Sequence, residues 1–311
     1  MPRRSPGSLN YGRSVPCAGT CSLFGQLPPF GLAAQGFPGR AGLTCQDSWP
    51  IPVQDRNPSG VWRVRAANPS PLTLDGTNTY GAGGWVVDPG PDDEAHLDAV
   101  LAASDGGIDG IVLTHSHVDH SEGAESLASR AGGVPVVLPS DGEEVGPFRA
   151  IATPGHAPDH VCLLFGRVCF AGDTVLGEGS VFIAPGEGSL AAYLDSLRRL
   201  RHLDLEVLCP GHGPYVWGPA AKLDEYIAHR LERERLLVEA LAGGARTEDQ
   251  LLDHAWSDVP QHLRAAAGLT LRAHLEKLGD EGRLPHDLDM GPGGVHRERG
   301  GDHSGGIACG K

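Results

Sequence analysis

The chain has 311 residues, with 45 glycines, 25 prolines, seven cysteines and a formal charge of −14. That length holds one large domain plus a small one. No run of 18 apolar residues is present, which excludes a spanning helix and predicts a cytoplasmic protein with no membrane partner. The odd, scattered cysteines form neither a disulfide framework nor a CxxC metal pair and fit reduced thiols. The acidic balance argues against broad non-specific binding of nucleic acid, which needs clustered Lys and Arg.

Residues 1–60 are rich in Gly, Pro and Ser, lack a sustained period of 2 or 3.6, and carry five arginines against Asp47 and Asp55. They read as a disordered extension, because their prolines oppose the amphipathic helix a transit peptide needs. Cys17 and Cys21 have the spacing of half a zinc site, but no second pair follows. An ordered body is expected from Val61, with β runs at 61–66, 84–87 and 109–113 and a helix at 93–103. Further β runs fall at 134–138, 148–152, 161–165, 168–171 and 206–209, with a tight hairpin turn at Gly166-Arg167. Helices are expected over 120–130, 189–201 and 219–241. Interleaved strands and helices make 61–218 an α/β layered domain, and 219–243 becomes a connecting helix. After Gly243-Gly244, helices near 247–255 and 260–279 form a small winged-helix-like unit over 244–286. Residues 287–311 read as a disordered tail with His296 and His303 in solvent.

The chemistry concentrates in Ile111-Val112-Leu113-Thr114-His115-Ser116-His117-Val118-Asp119-His120. A buried strand runs out into a loop holding three histidines and an aspartate within six residues, a nitrogen and carboxylate set that suits zinc. On an extended loop His115 and His117 point to the same side and grip one metal together. Asp119 and His120 open the following helix and face a second metal; Asp119 also positions a proton at a nucleophilic water. Three later segments each end a β run on a ligand type: Thr153-Pro154-Gly155-His156, Phe170-Ala171-Gly172-Asp173 and Cys209-Pro210-Gly211-His212. Gly before each ligand lets the backbone turn sharply at the strand end. Six further histidines, His96, His202, His229, His254, His262 and His274, read as surface or satisfied core residues.

The series His115-x-His117-x-Asp119-His120, His156, Asp173, His212 resembles the metallo-β-lactamase superfamily over about residues 61–218. That resemblance implies an αββα sandwich with two Zn²⁺ ions at the open edge of its sheets; Mn²⁺ or Fe²⁺ suit the same ligands. It assigns His115, His117 and His156 to one ion, Asp119, His120 and His212 to the other, and Asp173 to a bridge. Asp119 and Asp173 are then the catalytic carboxylates, and a water or hydroxide between the ions is the nucleophile.

Within the superfamily, Asp173 stands where the best-known zinc β-lactamases place Cys. His117 stands where redox di-iron relatives use Glu. Only 38 residues separate Asp173 from His212, too few for the inserted domain of the large RNA-processing nucleases. The segments 68–80, 174–179 and 193–197, with the helical 219–241 and the end at Leu278 to Leu284, resemble the lactamase-β-like group with a C-terminal winged helix. That group includes a single-strand endoribonuclease and acyl-carrier-protein thioesterases. By the same resemblance Thr77 and Asn78 sit in a turn near the metal edge, as a substrate-contacting polar pair or as an Asx-type turn. The expected function is a binuclear hydrolase of a thioester or ester, acting on a small-molecule or acyl-carrier substrate. The alternative is a metal-dependent single-strand endoribonuclease. Residues 244–285 hold seven acidic against five basic side chains, a balance that fits packing or homodimerisation better than nucleic acid.

Overall fold

The computed structural model describes residues 56–289. The expected extension and tail therefore lie outside the described residues, apart from 56–60 and 287–289, as do Cys17, Cys21, His296 and His303. No described helix is long and apolar enough to cross a membrane.

Two sheets lie face to face. The first runs in the order β1 (Val61–Arg65), β2 (Asn78–Ala82), β3 (Trp85–Val87), β4 (Gly110–Val112) and β5 (Val136–Val137). The second runs in the order β11 (Val216–Trp217), β10 (Val207–Pro210), β9 (Val168–Gly172), β8 (Val161–Phe165), β7 (Phe148–Ala152) and β6 (Glu144–Val145). Tyr80, Val87 and Val112 from the first sheet meet Phe148, Phe170 and Cys209 from the second in one buried cluster. Helices α1 (Glu94–Ala103) and α3 (Ala124–Arg130) cover the outer face of the first sheet through Leu97, Val100 and Leu127. Helices α4 (Leu190–Arg201) and α5 (Pro219–Ala242) cover the second through Tyr193, Leu197, Leu223 and Tyr226. The layering is αββα, because each sheet buries one face on its partner and the other on helices.

Beyond α5, α6 (Glu248–Ala255) opens on a Thr247 capping box and packs with α7 (Arg264–Asp280) in a separate apolar cluster around Leu237, Leu251, Leu271 and Leu275. The helix expected over 260–279 begins instead with a 3₁₀ turn at Gln261–Leu263.

Two departures from the sequence pattern have clear causes. The helix expected over 120–130 is split into α2 (Val118–Ser121) and α3 at Gly123. Gly123 donates its N–H to Gly90 O at 2.9 Å, and a Cβ there would stand 3.0 Å from Pro91 O. Strand β2 runs through Asn78-Thr79-Tyr80-Gly81-Ala82, where no strand is expected and Asn78 reads as part of a turn. Gly81 is required because a Cβ would fall 2.0 Å from the Trp62 ring on β1. The short strands β6 and β11 also carried no periodic signal.

Candidate metal centre

Strand β4 delivers the first candidate ligands. Beyond it, Thr114 donates its backbone N–H and its hydroxyl to the two oxygens of Asp88, each at 2.7 Å. Asp88 Oδ2 also accepts from His120 Nδ1 at 3.0 Å. A carboxylate only accepts, so His120 carries a proton on Nδ1 and turns its Nε2 toward the site. Asp88 is buried, has a left-handed φ of 49°, and was not among the residues the sequence motif drew out. Its only signal is an Asp at the end of the β run Trp85-Val86-Val87.

The other strands converge on the same edge. His156, after β7, donates Nδ1–H to Phe182 O at 2.7 Å, which frees its Nε2. Asp173, after β9, donates its backbone N–H to His160 Nε2 at 3.1 Å. Gly172 before it has φ of 45°, and a Cβ there would stand 2.5 Å from Thr114 Oγ1. Beyond β10, a Cβ on Gly211 would fall 2.5 Å from both Asp173 Oδ1 and His120 Cε1, so only glycine lets that chain pass the cluster.

All seven candidate ligands meet here. His156 Nε2 is 3.0 Å from His117 Nδ1 and 3.6 Å from Asp173 Oδ2. His212 Nε2 lies 3.2 Å from Asp119 Oδ2 and 3.4 Å from Asp173 Oδ2. His120 Nε2 lies 3.5 Å from Asp173 Oδ1. Asp173 thus stands between the histidines on either side. The ligand atoms of His115, His117 and His156 lie within 4.8 Å of one another, as do those of Asp119, His120 and His212 and those of His115, His120 and Asp173.

Burial drives the His115 and His117 pKa values down, so both are neutral and open to a cation. Burial alone would raise Asp173, yet His120 and His212 hold it well below the usual carboxylate range. Burial likewise opposes protonation of His212, but Asp119 and Asp173 push its pKa up to about 9. His115 Nε2, His120 Nε2 and Asp173 Oδ1 are buried without a hydrogen-bond partner, an arrangement a divalent ion would satisfy. The donor set fits such an ion.

Thr77 and Asn78 do not line the cavity beside these residues. Both have no exposed surface. Asn78 opens β2 and donates Nδ2–H to Pro210 O at 3.0 Å and Gly213 O at 2.8 Å, clasping the loop of His212 from below. Thr77 bridges His212 through the backbone and joins Asn68 by side-chain hydrogen bonds. Of the two expected roles, the pair shapes the loop of His212 rather than meeting the cavity, because both side chains are fully buried.

The sequence matches the family model "Metallo-beta-lactamase superfamily" over residues 80–150 and 132–212, and "Beta-lactamase associated winged helix domain" over 247–290. A Drosophila melanogaster protein named beta-lactamase-like protein 2 homolog is 31% identical, the match covering 75% of this chain and 92% of the relative. The chain belongs to the metallo-β-lactamase superfamily. An Aspergillus chevalieri protein named atrochrysone carboxyl ACP thioesterase is 30% identical over 80% of this chain and 89% of its own length. A metallo-β-lactamase family protein from Thermus thermophilus superposes with a TM-score of 0.56 at 27% identity, covering 72% of this chain and 94% of that one. This metallo-β-lactamase-fold protein is a hydrolase with a C-terminal winged-helix unit. Its His/Asp cluster opens on a cavity of about 310 Å³, walled by Pro71, Leu72, Leu176, Val181, Phe182 and Ala184.

Proposed function

We propose that the chain is a binuclear metal-dependent thioesterase or esterase acting on an acyl group without a charge of its own. The observation that carries this reading is the wall above the cluster: it is mainly apolar and contains no Lys or Arg. Leu72 offers 63% of its surface at the rim, which suits an acyl chain, and the described residues of the wall give a phosphodiester no cation. The relative named an acyl-carrier-protein thioesterase supports the same substrate class.

His115, His117 and His156 would hold one ion, Asp119, His120 and His212 the other, and Asp173 would bridge. Bound zinc, or manganese or iron in its place, supplies an activated water and a polarised carbonyl. The remaining work falls to this chain's own groups. Asp119, with a side chain 31% exposed to the cavity, is drawn toward the ionised form by His212 against the effect of burial. It is the carboxylate placed to take a proton from an entering water. Asp88 and Phe182 O hold the His120 and His156 rings with their Nε2 atoms inward. The apolar wall orients the acyl chain and excludes water around the carbonyl.

The test is a parallel panel on zinc-loaded full-length protein: S-acyl glutathiones, acyl-carrier thioesters and single-stranded RNA. Turnover of thioesters, lost on chelation and restored by zinc, is expected; cleavage of RNA alone would overturn the proposal.

A further inference from the structure

Between Asp173 and α4 the chain has no helix or strand, so the carbonyls of this cavity wall need partners from elsewhere. Side chains of α4 and α5 supply them. Tyr193 donates its hydroxyl to Thr174 O at 2.9 Å, and Tyr226 donates to Gly179 O at 2.8 Å. Arg230 donates to Ser180 Oγ at 3.1 Å and, by a short bond, to Val181 O. The next carbonyl along the chain, that of Phe182, receives His156 Nδ1–H at 2.7 Å.

Arg230 is only 2% exposed, lies with its guanidinium 5.6 Å from the Tyr193 ring, and has no carboxylate partner among the described residues. Its neighbour one turn along α5, Glu234, pairs instead with Lys277 and Arg283. Burying an unpaired guanidinium is costly, and an apolar side chain of similar length would fill the same space more favourably. Packing alone therefore does not account for an arginine here. Its two hydrogen bonds to the residues just before Phe182 do.

We propose that Arg230 is a positioning residue for His156. By clamping Ser180 and Val181 it fixes the Phe182 carbonyl, and that carbonyl fixes the Nδ1–H tautomer that leaves His156 Nε2 free for a cation. The reach of this proposal to metal binding rests on His156 being a ligand, as proposed above, whereas the tautomer is a property of the metal-free chain. Metal-site imidazoles depend on such outer partners for orientation and basicity.

Two measurements on the full chain test it. The first is ¹⁵N-histidine NMR of metal-free protein near pH 8, where wild type should show His156 as one Nδ1–H tautomer. Arg230→Met should show a mixture, and Arg230→Lys, which keeps a donor, should restore most of the single form. The second is zinc titration by chelator competition. Arg230→Met should weaken one zinc equivalent by about tenfold to a hundredfold and leave the other within a few-fold. That weakened equivalent should be the one that His156→Ala abolishes.

If Arg230→Met melts lower yet keeps the single tautomer and both zinc affinities, Arg230 is a packing residue and the inference is overturned. If Arg230→Met does not fold, Ser180→Ala removes one acceptor of the same clamp and is read by the same NMR. An unchanged His156 tautomer in a folded Ser180→Ala variant likewise overturns the proposal. Wild-type protein that binds no zinc defeats the ligand reading, while the metal-free tautomer measurement still decides the role of Arg230.

Discussion

The imidazole of His160 accepts the backbone N–H of Asp173 at 3.1 Å and so holds the carboxylate that stands between the two groups of histidines. Because Nε2 accepts, Nδ1 carries the proton and faces the hydroxyls of Thr153 at 2.9 Å and Thr174 at 3.3 Å. Burial, reinforced by His156, takes the His160 pKa down to about 3, so the ring stays neutral wherever the protein is folded near pH 7.

Replacing His160 by Leu should leave a buried N–H unpaired, at a cost of about 1–3 kcal/mol in unfolding free energy. The displaced Asp173 should also lower kcat/KM by about tenfold to a hundredfold. Urea melts and thioester kinetics measure both; wild-type kinetics in a folded His160→Leu protein would remove His160 from the site.

Asp88→Asn tests the brace behind His120. Three donors now converge on the Asp88 carboxylate. An amide presents one acceptor and one donor group, so at least one of those bonds is lost. Zinc affinity should fall by about tenfold to a hundredfold with the far-ultraviolet circular dichroism unchanged. Equal zinc affinity in both proteins would contradict this.

Gly172→Ala should be among the most damaging single-methyl changes in the chain. Its φ is 45°, and the new Cβ would stand 2.5 Å from Thr114 Oγ1 and 2.6 Å from His160 Nε2. Overpacking of this kind costs about 1–3 kcal/mol, and the two side chains it would push support the site. Gly166→Asn is the control: φ is 59° at the β8–β9 hairpin, and nothing lies within 4 Å of a Cβ there. Since Asn adopts left-handed backbone readily, its melting curve should move by less than about 1 kcal/mol.

His274 gives the pH prediction. It is fully buried on α7, 5.7 Å from the Trp256 ring, and burial, then Arg230, lowers its pKa to about 3. The folded value lies below the unfolded one of 6.5, so the unfolded chain takes up the proton first. Its contribution is present in full above pH 6.5 and declines as pH falls from there toward 3. The loss is about 1.4 kcal/mol per pH unit below the unfolded pKa. Comparing urea midpoints at pH 7 and pH 5, His274→Leu should lose about 2 kcal/mol less than wild type does. An identical pH slope in the two proteins would refute the assignment.

His274 also shows where reading by residue type runs out. As a lone histidine it belonged with surface or satisfied core residues, and neither of its ring nitrogens has a hydrogen-bond partner among the described residues. His96, placed in the same class, is a core residue satisfied at one nitrogen: its Nε2 meets Thr79 Oγ1 at 2.9 Å, while its Nδ1 has no hydrogen-bond partner among the described residues.

The amino-acid sequence by itself determined the inventory of candidate ligands and the alternation of strands with helices. His115, His117, Asp119 and His120 are dense in sequence, and His156, Asp173 and His212 each follow a β run whose glycine is visible. Local spacing and hydrophobic period are short-range properties, so both survive in one dimension. Only the tertiary structure decided what holds those ligands. Asp88 under His120, His160 under Asp173, Asn78 under the His212 loop and Arg230 behind His156 are ordinary residues until distant strands and helices meet. The Asn78 bond to Pro210 spans 132 positions, and the Arg230 bond to Val181 spans 49. Outer contacts of that kind depend on the packing of two sheets and their helices, and no local pattern encodes them.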